Sequence, residues 1–299
     1  MASIIKNVAL LGVSGNLGLH VLEEFRNSAF NLSIVIRKDS KFTPPSDVKT
    51  IPSDFSFESL KSNFHDQDAV ISLLGPAGTD IQQTVAEAAI AAGVKRFIPS
   101  EFSADTASPG VLELIPFLSP KRQLVEFLRS KEDTGMTWTA IPTSAFLDWG
   151  LETGFMGFNL KAREVTLWDD GEALFSANTR ATIGKALVAI LSDKNLEKTK
   201  NQYVYLGSYT TSQKQILAIC EKVTGSKWKI VERVDASERM KKVHEELKNN
   251  DFSSALDLLR VVSFGKEKEL CKWENPWNKK LGLADQSLEE DIAALFKGT

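Results

Sequence analysis

The stretch VALLGVSGNLGLHVLEEF, residues 8–25, decides the fold because a glycine-rich turn joins two different hydrophobic patterns. Residues 8–11 are continuously apolar, which is typical of a strand buried on both faces. In residues 17–25, apolar side chains recur at helical spacing instead. The turn between them contains Gly12, Gly15 and Gly18. Because glycines let backbone amides approach a ligand at a helix N-terminus, the stretch predicts a phosphate-binding turn.

The alternation of strand and helix patterns continues through the first half of the chain. Short apolar runs predict five further strands, at residues 32–36, 48–51, 69–74, 94–98 and 137–141. Amphipathic segments predict helices at residues 56–64, 80–92 and 120–131. Such alternation is typical of parallel sheets covered by helices on both faces. The sequence therefore predicts an α/β fold with a doubly wound parallel Rossmann sheet, in a dinucleotide-binding domain that covers residues 1–150.

After about residue 150 the alternation breaks, which indicates a second structural unit. The runs at residues 164–168 and 173–177 predict two short strands that form a hairpin. A strand at 203–206 and helices at 181–191, 212–223 and 235–262 follow. We expect a second, smaller α+β substrate-binding lobe over residues 151–299. We also expect large aromatic side chains from this part of the chain to line most of the substrate pocket, namely Trp149, Phe155 and Phe158.

Composition excludes several classes of protein. The 299 residues carry a net charge of −3 from 36 basic and 39 acidic side chains, so no nucleic-acid or membrane partner is expected. Only two cysteines occur, Cys220 and Cys271, which favours a reduced compartment over a disulfide scaffold. No apolar run approaches membrane-spanning length, and MASIIK leads directly into the first strand without a secretory pattern. We expect a soluble cytoplasmic protein, monomer or homodimer.

The residues after the glycine turn discriminate between phosphate ligands. A nucleoside-triphosphate P-loop needs Lys directly after its last glycine, whereas Leu19 and His20 follow here. A dinucleotide site places an acidic residue after the second strand for NAD, or a basic one for the 2′-phosphate of NADP. Arg37 and Lys38 occupy that position. They therefore favour NADP(H), the alternative being a solvated basic turn.

Two further loops are expected to border the cofactor. Ser14, Asn16 and Leu17 lie within the glycine turn itself. Asp54 follows the third strand, where it can contact the adenine or cap the next helix. Gly75 follows the fourth strand, where a missing side chain lets the cofactor pass, although a simple turn explains it equally well.

The common catalytic sets are absent from the sequence. None of the three tyrosines begins a Tyr-x-x-x-Lys pattern, the three histidines lack cysteines at metal spacing, and no Gly-x-Ser-x-Gly occurs. No metal site is expected. What remains is RFIPSEF, residues 96–102, followed by Lys121 in the first turn of a helix. A cation is unfavourable at that end of a helix, so the pKa of Lys121 should be lowered towards the range for proton transfer. The alternative is an ordinary surface lysine.

Together GVSGNLG, RFIPSEF, Lys121 and TAIPTSAF resemble the isoflavone reductase-like, or NmrA-like, family, over about residues 5–150. The resemblance implies hydride transfer from NADPH, with a lysine about twenty residues after the Ser-Glu-Phe as the catalytic acid/base. Lys121 stands at that spacing. It also implies that Ser100, Phe102 and Phe146 border the cofactor. The sequence departs from the family pattern at Ser103, Val125 and Glu126. These departures bear on which substrate is bound more than on which cofactor is used.

The sequence therefore predicts an NADPH-dependent reductase of an aromatic or conjugated small molecule, with Lys121 as general acid/base. One alternative is a regulator similar to the nitrogen-metabolite-repression protein, which senses NADP without turnover. A second alternative is a short-chain carbonyl reductase, which the missing Tyr-x-x-x-Lys disfavours. The retained lysine favours the enzyme over the sensor.

Overall fold

The computed structural model describes residues 5–266 and 269–297, and within them the chain alternates strands and helices. The described strands, in chain order, are β1 (Asn7–Leu11), β2 (Asn31–Arg37), β3 (Lys49–Ser53), β4 (Ala69–Ser72), β5 (Arg96–Ile98), β6 (Thr137–Ala140), β7 (Ala145–Phe146), β8 (Phe158–Asn159), β9 (Glu164–Trp168), β10 (Phe175–Asn178), β11 (Gln202–Tyr203), β12 (Tyr209–Thr211) and β13 (Lys229–Val234).

The described α-helices connect and cover these strands. They are α1 (Gly18–Arg26), α2 (Phe57–Asn63), α3 (Gln82–Ala91), α4 (Pro109–Leu114), α5 (Ser119–Arg129), α6 (Leu147–Glu152), α7 (Arg180–Leu191), α8 (Asp193–Leu196), α9 (Gln213–Thr224), α10 (Ala236–Lys248), α11 (Leu256–Phe264), α12 (Asn278–Leu281) and α13 (Leu288–Ala294). Short 3₁₀ helices lie at Pro76–Ile81, Pro116–Leu118 and Glu132–Thr134.

One large sheet organises the molecule. Its order is β11-β6-β5-β4-β1-β2-β3, and every neighbouring pair is parallel. Six of these strands follow the doubly wound order, which confirms the predicted fold class. The strand order reverses between β1 and β4, and ligands of such sheets bind in the crevice at the carboxyl ends of the strands there. This crevice is where the glycine turn lies.

Strand β1 contributes to the hydrophobic core on both faces of the sheet. Val8 and Leu10 pack on one face with α1 and α7, while Ala9 and Leu11 pack on the other with α2, α3 and α5. The alternation follows from the two-residue period of a strand. A third core fills the space between the two small sheets, β12-β10-β7 and β13-β9-β8, and the helices around them.

The chain returns to the large sheet well after residue 150. Strand β11 pairs with β6 at the sheet edge, and α7 packs on α1. The approach of these helices depends on Gly184, since a Cβ there would lie 2.8 Å from the Cγ of Glu24. The large sheet therefore draws on both sides of residue 150, and the domain boundary at that position stays a prediction.

The expected hairpin after residue 164 is wrong. Both strands exist, but β9 lies between β8 and β13, whereas β10 lies between β7 and β12 in a different sheet. A turn does form, because the Gly171 amide donates to the Trp168 carbonyl. Beyond the turn the two strands diverge. Asp169 accepts hydrogen bonds from the amide of Ala236, at the start of α10, and from the amide of Lys266, after α11, so the turn is fixed against these helices.

Candidate active site

The glycine turn between β1 and α1 is tightly packed against the loop after β4. Gly12 has φ of +80°, and a Cβ there would lie 2.6 Å from the backbone carbonyl carbon of Leu73. A Cβ at Gly18 would lie 2.6 Å from the carbonyl carbon of Val13. Any larger side chain would therefore push the turn apart at either position.

The helix that follows the turn begins without a side-chain cap. Leu17 is the N-cap residue of α1, and no side chain hydrogen-bonds to the cap. The first amides of an α-helix have no partner within the helix. With the helix dipole they form a site that favours a phosphate.

The two basic residues at the end of β2, Arg37 and Lys38, have different surroundings. Both side chains are exposed, and Arg37 lines the cleft that starts at the glycine turn. The Nζ of Lys38 instead lies 3.4 Å from the Oδ2 of Asp54, outside that lining. Arg37 is thus the member of the pair that can reach a ligand in the cleft directly.

Asp54 organises the start of α2 without being its cap residue. Its carboxylate accepts hydrogen bonds from the hydroxyl and the amide of Ser56, at 2.7 and 3.0 Å, and these bonds lower the pKa of Asp54 to about 2. Ser56 is the N-cap of α2 and accepts from the Ser59 amide. Ser56 therefore takes the cap role that was weighed for Asp54, and Asp54 supports that cap, while its role as a ligand for the adenine stays a prediction.

Two adjoining clefts run along the carboxyl ends of the strands. The first, of about 340 Å³, is lined by the predicted cofactor residues Gly12, Ser14, Gly15, Arg37 and Gly75. The second, of about 330 Å³, is lined by the predicted residues Gly15, Asn16, Leu17, Gly75, Ser100, Phe102, Lys121 and Phe146. The clefts share Gly15 and Gly75, so they form one continuous channel. All the predicted site residues except Gly18, Lys38 and Asp54 line these clefts, and Gly18 packs against Gly12 and Val13 within the turn.

Lys121 lies in the first turn of α5, with its amine against the end of β5. Its Nζ donates hydrogen bonds to the backbone carbonyls of Ser100 and Glu101, at 2.7 and 3.1 Å. The hydroxyl of Ser100 in turn donates to the Leu74 carbonyl at 2.8 Å, which fixes this segment to the loop after β4. Burial lowers the pKa of Lys121, and the nearby Glu101 carboxyl partly opposes that change.

A group of polar side chains lies buried behind Lys121. Glu101 is 1% exposed, its Oε1 accepts a hydrogen bond from the Thr106 hydroxyl, and burial raises its pKa. The Asp105 carboxylate accepts from the Tyr205 hydroxyl at 3.1 Å, and burial raises the pKa of both groups. Sequence analysis missed this group because Tyr205 lies a hundred residues from Asp105 along the chain.

Apolar side chains form the outer part of the second cleft. Phe117 and Leu118 come from the segment before α5, while Leu256 and Leu259 come from α11. Phe117 is 41% exposed and Leu256 is 55% exposed, which is unusual for side chains of this size. An apolar ligand in the cleft would cover them.

The three aromatic side chains expected to line the substrate pocket lie outside this channel, and their contact with a substrate stays a prediction. Trp149 and Phe155 pack on each other, with ring centroids 5.3 Å apart, and Phe158 is buried against Trp228. None of the three predicted aromatic residues lines the channel; the second half contributes α11 instead. Phe158 belongs to the core between the small sheets, and Phe155 packs against it.

Residues 5–266 and 269–297 contain neither a candidate metal site nor a helix that could span a membrane. No group of histidine, cysteine, aspartate and glutamate side chains there could hold a metal ion. None of the helices in this part of the chain combines the length and the hydropathy that crossing a membrane requires.

Comparison with known proteins gives four consistent matches. The model of the NmrA-like family matches residues 5–295. Oxidoreductase aprR of Aspergillus flavus is 34% identical over 297 residues, which cover 97% of this chain and 99% of that protein. Oxidoreductase poxI of Penicillium oxalicum is 28% identical over 291 residues, which cover 95% of this chain and 92% of that protein. The solved structure of AtPrR2 with NADP⁺ and (+)pinoresinol has a TM-score of 0.77 at 17% identity, covering 99% of this chain and 100% of that one.

Proposed function

The chain belongs to the NmrA-like family, as its motifs predict, and on that premise we propose that it is an NADPH-dependent reductase of an aromatic or conjugated small molecule. Lys121 is the general acid/base of this reaction. The observation that carries the proposal is the position of the Lys121 amine, inside a channel that continues from an uncapped helix N-terminus. Relatives that align along almost the whole chain are named oxidoreductases, which supports the same conclusion.

The residues of the first cleft fit NADPH. Gly12 and Gly18 leave no room for side chains in the turn, so the backbone itself can surround a diphosphate. The guanidinium of Arg37 suits a 2′-phosphate, to which it can donate two parallel hydrogen bonds. The AtPrR2 structure of the same fold contains NADP⁺, which is consistent with this assignment. When bound, the cofactor supplies the hydride.

Lys121 is held in a way that serves either protonation state. A neutral amine has two N–H bonds, which match the carbonyls of Ser100 and Glu101, and its lone pair is then free to accept a proton. An ammonium group has three donors, so the third remains for a substrate oxygen. Lys121 would therefore give a proton to a phenol or enol oxygen as negative charge develops there, and would regain it afterwards.

The apolar walls of the second cleft favour a flat, largely uncharged substrate. Phe102, Phe117 and Phe146 offer aromatic surface to such a molecule, and Leu256 closes the side formed by α11. Aromatic contacts of this kind gain about 0.5–1.5 kcal/mol beyond the burial of area. The solved structure of AtPrR2 contains (+)pinoresinol, an aromatic small molecule, which supports this class of substrate.

The proposal is tested by turnover with a labelled cofactor. Purified protein is mixed with NADPH deuterated at C4 and with a panel of phenolic ethers, enones and quinones, and products are analysed by mass spectrometry. We expect one class to be reduced with incorporation of one deuterium, and the Lys121→Ala variant to bind NADPH but to form little product. Tight NADPH binding with no reduction of any compound would instead indicate a sensor of NADP.

A further inference from the structure

Glu101 is a buried carboxyl group that hydride transfer and cofactor binding do not explain. One of its oxygens accepts from the Thr106 hydroxyl. The other, Oε2, is buried and has no hydrogen-bond partner among the residues that the structure describes. Burying a carboxyl group without full pairing is unfavourable, so a compensating interaction is expected nearby.

The charged and titratable groups around Glu101 come from three parts of the chain. Asp105 lies on the same segment as Glu101, and Lys121 lies on α5. Tyr203 is the last residue of β11, and Tyr205 follows that strand. Of these, Lys121 alone can carry a positive charge. Its Nζ is bonded to the backbone carbonyl of Glu101, and the two side chains interact electrostatically.

The remaining cation of this region is engaged elsewhere. Arg122 follows Lys121 on α5, where its guanidinium pairs with the Glu126 carboxylate at 2.6 Å and also interacts electrostatically with Asp105 and Tyr203. Asp105 thus accepts a hydrogen bond from the Tyr205 hydroxyl and interacts with Arg122, whereas the cation that interacts with Glu101 is Lys121. The two carboxyl groups, four residues apart, therefore have different partners.

We propose that Glu101 is a positioning residue, whose buried carboxylate provides the counter-charge that keeps Lys121 protonated within the cleft. The inference rests on the proposed function of Lys121 as proton carrier. Each group alone is disfavoured as an ion because it is removed from water, whereas the two charges together stabilise each other. Once Lys121 has passed its proton to a substrate oxygen, the pair carries a single negative charge. That charge favours the return of a proton from solvent to the amine.

The experiment measures the protonation of Lys121 directly. The ¹⁵Nζ signals of lysines are followed by NMR against pH, and the signal of Lys121 is identified by its absence in Lys121→Arg. In Glu101→Gln, which keeps the size of the side chain and an acceptor for Thr106, we expect the pKa of Lys121 to fall by about one unit or more. The alkaline limb of kcat/KM for reduction should move to lower pH by the same amount, with unchanged affinity for NADPH.

Asp105→Asn is the matched control, because it removes one negative charge from the same segment. Since Asp105 faces Tyr205 and Arg122, the titration of Lys121 should stay as in the wild type. A wild-type titration of Lys121 in Glu101→Gln, or an equal shift in Asp105→Asn, would overturn the proposal.

A second variant covers the case in which Glu101→Gln does not fold. Thr106→Val removes the hydroxyl that stabilises the carboxylate, so the pKa of Lys121 should shift in the same direction by a smaller amount, and an unshifted titration would contradict us. The NMR titration needs no substrate. If the pKa of Lys121 shifts in these variants but the wild-type protein reduces no compound, the proposed function is contradicted. The charge interaction between Glu101 and Lys121 would still be supported.

Discussion

Arg37 and Lys38 are neighbours with the same charge, yet their surroundings differ enough to separate their roles. The Arg37 side chain borders the first cleft, whereas the Lys38 ammonium lies beside the Asp54 carboxylate. Sequence position alone makes the two residues equivalent candidates for the cofactor phosphate. Their functions are therefore distinguished by single substitutions.

We expect Arg37→Ala to weaken NADPH binding much more than NADH binding. Loss of a charge-assisted contact to the 2′-phosphate should cost about 1.5–3 kcal/mol, and NADH lacks that phosphate. Lys38→Ala is the matched control and should change NADPH affinity less, because the Lys38 charge is shared with Asp54. Fluorescence titrations with both cofactors measure the difference. Equal losses for NADPH and NADH in Arg37→Ala would contradict the assignment.

The Lys121 amine should control the rate of reduction but not the binding of NADPH. Lys121→Ala should reduce turnover by about 10²–10⁴-fold, which is typical for loss of a general acid/base. Lys121→Arg should restore little, since a guanidinium stays protonated near neutrality. These values come from steady-state kinetics and cofactor titration of the three proteins. Full activity of Lys121→Ala would exclude the mechanism.

The pH dependence of the wild-type enzyme follows from the direction of the pKa change. Burial lowers the pKa of Lys121 from its ordinary value, so the amine loses its proton at a lower pH than a surface lysine does. If the protonated amine is the acid, kcat/KM should be constant at lower pH and fall as the pH rises through this lowered pKa. A rate that stays level up to the pH at which surface lysines titrate, about 10.4, would contradict this.

At the level of single residues, the sequence predicted what depends on local spacing. Lys121 was identifiable because the helix start at α5 and the Ser-Glu-Phe segment are both visible in the chain. The partners of Glu101 and Asp105 were not, because Tyr203 and Tyr205 reach them only through the position of β11 at the sheet edge. Contacts between distant segments leave no local pattern in the sequence.

Among the elements, the turn from β1 to α1 has the tightest geometric requirement of the site. We expect Gly18→Ala to lower NADPH affinity by at least about tenfold and to lower the melting temperature. The reason is that the new Cβ would meet the backbone of Gly12 and Val13, which cannot move aside as a side chain can. Cofactor titration and thermal unfolding measure the two effects.

Gly110→Ala is the control for that substitution, since it adds the same methyl group near a helix start. There the Cβ would lie 3.6 Å from the Leu270 side chain, which is ordinary contact. Its melting temperature and NADPH affinity should stay close to those of the wild type. Equal damage from both substitutions would show that the Gly18 effect is not specific to the turn.

The elements themselves were predicted well where hydrophobic periodicity was regular. The six strands of the first half and the helix that carries Lys121 lie where the pattern placed them, with small changes at their ends. The predicted hairpin is wrong because a turn at Gly171 indicates that the chain changes direction, but it does not indicate which strands pair afterwards. The sequence could not show whether Trp149, Phe155 and Phe158 line the channel, since a buried ring and a pocket-lining ring have the same spacing.

In the whole molecule, Arg96 connects the large sheet to the chain beyond residue 150. This side chain is 1% exposed and donates hydrogen bonds to Thr137 and Thr139 of β6, to the Thr199 hydroxyl and to the Leu196 carbonyl. Burial lowers its pKa to about 10, so it stays charged at neutral pH. The two halves of the chain therefore share one polar network.

We expect Arg96→Ala to destabilise both halves together, by at least about 3 kcal/mol, because several buried acceptors would lose a charged donor. Urea unfolding measures the free energy, and hydrogen exchange should show α7 and β1 losing protection in the same transition. Lys200→Ala removes an exposed cation paired with Glu197 nearby, and it should change the free energy of unfolding by no more than about 0.5 kcal/mol. Separate transitions for the two halves would contradict a shared network.

The late position of β11 along the chain has a consequence for synthesis on the ribosome. The strand that completes the large sheet, and the helix α7 that covers α1, lie after residue 179, so they emerge only when well over half of the chain has been translated. Until then Arg96 has no Leu196 or Thr199 to bind, and α1 lacks its packing against α7. The part of the chain that ends with β6 must therefore remain incompletely buried until a segment encoded far downstream has been made.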